Sequence, residues 1–206
     1  MAIGDPYVSV AQLKVRLGIS DSTDDVALGS AVNASSKWIE AYCQRRRFGF
    51  NVAGSATALV YRPGTSYQLA IDDISTLTSL VLKVDEADDG VYETTWTNGT
   101  EYQLLPFDGL AAGLPLNKVE TIDSYCFPQG VRPSVQVTAI WGWPAVPSIV
   151  TEAAYQLSEE TFKLKDAPFG VAGVNDFGVL RIGNQTMNRV QSMLASFVVM
   201  AGRMVA

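Results

Sequence analysis

The sequence predicts an α+β protein: a helical core contributed by both chain ends, with an antiparallel β-rich domain inserted between them. Three observations predict it. Apolar residues recur at spacings of three and four before residue 50 and again after residue 148, as on one face of a helix. Between residues 57 and 141 the apolar period changes to two, as in half-buried strands. The return to helix is marked by Gly142-Trp143-Pro144-Ala145-Val146-Pro147, where Gly142 breaks the last strand and two prolines forbid its continuation. The boundaries this implies are residues 1–50, 51–143 and 144–206.

Each element has its own signal. Ser9 with Gln12 three residues later forms a capping-box pattern; Val10, Leu13 and Leu17 share a face, and Gly18 stops the helix. A second helix begins near residues 21–23, with Asp24 and Asp25 complementing the positive end of its dipole. Leu28, Val32, Ser35, Ile39 and Tyr42 form its inward stripe, flanked by Ala31 and Trp38. Arg45, Arg46 and Arg47 are expected to close it against the exposed carbonyls. Strands are expected at 58–62, 77–84, 91–96, 101–105, 116–122 and 134–141, with Asn98-Gly99 at the centre of a hairpin. A third helix spans 148–165, capped by Ser148, with Glu152 in its first turn and a Glu159–Lys163 pair on its outer side. Residues 166–183 read as a glycine-rich loop that nevertheless carries Phe169, Val171, Val174, Phe177 and Leu180, too apolar to lie free in water. The last helix starts near Asn184, and its apolar surface widens through Phe197, Val198, Val199, Met200 and Met204.

Composition limits the function classes. The chain has 206 residues, 48% of them hydrophobic and 17% charged, as in a globular protein able to bury a core. No apolar run approaches the roughly 20 residues that span a bilayer. The N-terminus has neither the basic start nor the apolar block of a signal peptide, so synthesis in the cytoplasm is expected. A net charge of −6 speaks against a protein that grips duplex DNA. Between residues 72 and 123 eleven acids face only Lys83 and Lys118, either a solvated face or a wall that repels nucleic acid. Cys43 and Cys126 form no CxxC pair, and both are expected to be buried and reduced. The chain contains no histidine, which removes the commonest general base and a main metal ligand. The adjacent carboxylates Asp72/Asp73 and Asp88/Asp89 do not converge on a substrate, because neighbours on a strand point to opposite faces. No catalytic residue, cofactor or metal site is expected.

The GWPAVP corner feeding an alanine-containing helix, the Asp166-Ala-Pro-Phe-Gly170 loop and the closing helix resemble the head-tail connector (adaptor, head completion) proteins of tailed bacteriophages and prophages. The resemblance takes in the capped first helix, the long helix ending in three arginines, and Leu69-Ala-Ile-Asp-Asp-Ile-Ser75 before a valine-rich strand. That family pattern is usually carried by a more compact helical protein, and the long β insertion departs from it. The resemblance implies a virion protein that builds a homo-oligomeric ring, most often of twelve subunits, between the portal and the tail-completion or stopper proteins. Genomic DNA would pass through the ring without sequence-specific binding. On this reading Phe197, Val198, Val199, Met200, Arg203 and Met204 grip the portal. Glu40, Arg45, Arg46 and Arg47 contribute to subunit contacts, and Phe169, Val174, Phe177 and Leu180 face the channel or the tail side. Two rivals stand beside it. A carbohydrate-binding or adhesion module would use Trp96, Tyr102, Trp141 and Trp143 on a β scaffold; a DNA-packaging accessory would bind nucleic acid through the arginine run.

Overall fold

The computed structural model describes residues 4–45, 47–165, 171–175, 178–181 and 185–199. The fold is α+β, and the chain divides into two compact units, each described by itself: Asp5–Arg47 with Val146–Val199, and Phe48–Ala145.

The first unit is helical. α1 (Val10–Leu17) has the complete capping box, with Ser9 accepting from the Gln12 amide and Gln12 answering to the Ser9 amide. It ends at Gly18, which is left-handed at φ 71°. α2 (Asp25–Tyr42) buries Leu28, Ala31, Val32, Ser35, Ser36 and Ile39. α3 (Ser148–Lys163) buries Val150, Ala153, Ala154, Leu157, Ser158 and Phe162 against it. Small residues on both faces let the two helices approach closely. The Ser35 and Ser36 hydroxyls, which burial would otherwise leave unpaired at a cost of about 1–3 kcal/mol each, donate back to the carbonyls of Ala31 and Val32. α4 (Gln185–Leu194) adds Val190 and Leu194 to the core.

Four local expectations change here. Pro147, not Ser148, is the N-cap of α3, and it has no side chain to offer the free amides; Ser148 is the first helical residue. The arginine run lies beyond α2, which stops at Tyr42; Arg46 is outside the described residues. The last helix ends at Leu194 and gives way to a single 3-10 turn, Ala195–Phe197. The stretch expected as a loop contains a two-stranded antiparallel sheet, β7 (Val171–Asn175) with β8 (Gly178–Arg181).

The second unit is a six-stranded sheet in the order β1 (Thr57–Tyr61), β6 (Val135–Trp141), β2 (Gln68–Val84), β5 (Leu116–Thr121), β4 (Tyr102–Leu105), with β3 (Thr94–Trp96) also on β2. All the strand pairs are antiparallel. β2 runs 17 residues, because the Leu69–Ser75 segment continues into the valine-rich strand through bulged register shifts between Ala70 and Val81. Its one edge follows β6, while the other serves β5 first and then β3. β6 alternates cleanly, burying Val135, Val137, Ala139 and Trp141. These meet Ile74, Leu82, Val84, Trp96, Tyr102, Val119 and Phe127 in one apolar core. The Asn98-Gly99 segment does form a tight turn, with Gly99 at φ 84°. The strands on either side of it do not pair with each other, however: β3 goes to β2 and β4 to β5. Cys43 is buried, but Cys126 is exposed, and both are free thiols.

Candidate docking surfaces

The end of α2 is the first candidate, and its geometry begins with one residue. Gln44 is left-handed, at φ 58°. Its amide donates to the Ala41 carbonyl at 3.2 Å, and the Arg45 amide to the Glu40 carbonyl at 2.8 Å. That pair of bonds is the Schellman closure usually built on glycine. It turns the chain so that the Cys43 carbonyl and the Arg45 side chain meet the segment after α4. The Val199 amide donates to the Cys43 carbonyl at 3.2 Å, and Arg45 Nε to the Phe197 carbonyl at 3.3 Å. Tyr42 Oη donates to the Gln191 carbonyl at 3.4 Å and stacks on Trp38. Phe197, Val198 and Val199 are all half-buried here. Arg45, expected at a subunit contact, is thus joined within one protomer to Phe197, expected at the portal, and Cys43 to Val199. Arg47 is exposed beside Ala41, Tyr42 and Gln44. Met200, Arg203 and Met204 lie outside the described residues. Burial pushes the Cys43 thiol up to about 11, with the Arg45 charge opposing.

Glu40 sits elsewhere. It is 5% exposed, and its carboxylate accepts from Tyr7 Oη at 3.4 Å and from Lys37 Nζ at 2.8 Å. Paired in this way, the buried carboxylate holds the segment before α1, whose Tyr7 amide also donates to Ser36 Oγ.

A second surface joins α1 to α3, and sequence reasoning missed it. Arg16 forks onto Glu152 with two bonds of 2.6 and 2.8 Å, reaches Glu159 at 2.5 Å, and lies over the Tyr155 ring. Glu159 therefore answers Arg16, where a helical pairing with Lys163 was expected. Hydrogen bonds from Arg16 and then Gln156 hold the Glu152 carboxyl down to about 2, while Glu152 first and then Glu159 push the Arg16 guanidinium further up, against its partial burial. The cluster borders a cleft of about 550 Å³ that Lys163, Gln185 and Arg189 also line. No local spacing signals a partner so far along the chain.

In the sheet unit the acids and aromatics are occupied. Seven of the eleven acids accept hydrogen bonds that build turns or anchor side chains. Asp72 receives Tyr61 Oη and Asp73 receives Trp143 Nε1. The almost fully buried Asp85 caps the amides of Asp89 and Gly90, and Asp89 in turn takes the Val91 amide. Asp88 receives the amides of Val131 and Arg132. Glu101 receives the Thr97 amide, and Glu120 the side chains of Gln68 and Gln103. The acidic stretch is therefore chiefly scaffolding. Trp96, Tyr102, Trp141 and Trp143 are at most 6% exposed, so none presents a ring face on which a sugar could stack. Trp141 Nε1 donates to the Thr57 carbonyl. Val174 and Leu180 fall on β7 and β8, whereas Phe169 and Phe177 lie outside the described residues. Among the described residues, no group of three or more Cys, Asp or Glu is placed to hold a metal ion.

The architecture has counterparts among solved structures. A chain from the neck of an empty gene transfer agent particle, computed with C6 symmetry, superposes at a TM-score of 0.54 with 19% identity; the match covers 96% of this chain and 93% of that one. A chain from the virion of the native gene transfer agent particle gives 0.52 at 20% identity, over 98% and 96%. What they share with this protein is the fold. No family model and no curated protein matches the sequence. The likeness runs through both units, so the β-rich region belongs to the shared architecture.

Proposed function

We propose that this protein is a structural neck component of a tailed-phage-like particle, a head-tail connector that carries no chemistry. It forms a ring, on the family pattern of twelve copies, between the portal and the tail-completion or stopper proteins, and extends and seals the channel through which DNA passes. One observation carries the reading: the fold match to neck and virion chains extends over nearly the whole of both partners, and the GWPAVP corner and flanking helices resemble connectors in the same order. In this role the Phe197–Val199 segment, half-buried and bonded to Arg45, belongs to the portal-facing surface together with Met200, Arg203 and Met204. Val174 and Leu180, with Phe169 and Phe177, belong to the channel or tail side.

Truncation before Phe197 tests the assignment. The shortened chain should keep its far-ultraviolet circular dichroism and lose co-sedimentation with portal particles of the same virion. Normal co-sedimentation of the shortened chain would remove the C-terminal segment from the portal surface.

A further inference from the structure

The path of the six-stranded sheet from β4 to β1, with the three-residue β3 off it on β2, has two ends that are treated differently. At one edge, β4 is four residues long, bridged at Tyr102 by Asn98 and followed at once by Pro106. Those are devices that discourage a further strand. At the other edge, β1 pairs with β6 alone among the described strands. Its sequence Thr-Ala-Leu-Val-Tyr has no charge, no proline and no bulge, and Ala58 and Val60 are exposed. Such an edge is a template for another strand. The same chain carries a two-stranded sheet, β7 with β8, that pairs with nothing else among the described residues. Two strands alone are marginal in water and gain stability from a third. β7 is as long as β1 and equally free of charge.

We infer that β1 of one copy takes up β7 of a neighbouring copy, so that the hairpin extends the neighbour's sheet. The two surfaces differ, so the contact is heterologous, and repetition of it produces a ring or an open filament. The inference rests on the ring reading above for closure and supplies it with a subunit contact distinct from the arginine run.

Hydrogen exchange on the full-length protein tests it, comparing dilute protomers with assembled rings. Amides in 57–61 and 171–175 should slow together by about tenfold or more on assembly. Rings that form with no added protection in these two segments overturn the inference and leave the ring reading standing; wild-type protein that never assembles overturns both. A mixing experiment adds a second readout. Ala58→Lys/Val60→Lys guards β1, and Ala172→Lys/Val174→Lys guards β7. Each variant alone should stay monomeric, and an equimolar mixture should give heterodimers, since one intact pair of edges remains. A mixture that stays monomeric, from variants with wild-type circular dichroism, contradicts the pairing.

Discussion

At Gly142 the backbone has room for hydrogen and for nothing larger. The residue is at φ 106°, and a Cβ there would stand 1.8 Å from the Asn51 carbonyl oxygen. The close approach exists because the 51–53 segment is laced to the corner: the Ala53 amide donates to the Trp141 carbonyl and the Trp143 amide to the Asn51 carbonyl. Gly142→Ala should therefore cost about 2–4 kcal/mol, read as a lowered urea midpoint at unchanged slope. A drop below about 0.5 kcal/mol would mean the corner is looser than this. The thiols give a second test at this scale. Cys126 should react with a thiol reagent in the native protein and Cys43 only after denaturation; two fast thiols would contradict the buried placement of Cys43. Sequence patterning identified Gly142 as a strand breaker from its prolines. It carried no trace of the Asn51 oxygen that makes glycine obligatory, and small size alone put both cysteines inside.

Elements were legible where the signal is local. The Ser9–Gln12 box, the stripe on α2 and the alternation of β6 are each written in a few neighbouring residues, and each stands. Partner choice was not. Asn98-Gly99 specifies a turn, but the strands beside it are claimed by β2 and β5, whose paired residues, such as Leu82 for Trp96 and Thr121 for Tyr102, lie well outside the turn. Arg16 likewise bypasses its own helix for Glu152 and Glu159 on α3. That clasp predicts an acid response. The Glu152 carboxyl is held at about 2, below the ordinary 4.5, so its contribution is full above pH 4.5 and disappears as pH falls toward 2. With the Glu152 side chain 41% exposed, the effect is of order 1 kcal/mol after screening. Glu152→Gln should flatten the stability profile between pH 4.5 and 2. A profile as steep as wild type would take the clasp out of the acid limb.

For the molecule as a whole, the change of apolar period from near 3.6 to 2 and back was enough to read an α+β protein with helices from both ends and a β-rich middle. The same reading left the acids open between a solvated face and a channel wall, and left the aromatics to a rival reading, because a sequence does not tell which polar side chains are spent on holding turns. Asp85, Asp88 and Trp143 are spent in that way. We assign the proposed function to surface for neighbours: the Phe197–Val199 segment and the β1 edge. The most direct measurement is electron microscopy of the full-length protein mixed with portal particles from the same virion. The account predicts closed rings of this chain seated coaxially on the portal. Protomers that remain solitary beside an intact portal would contradict it.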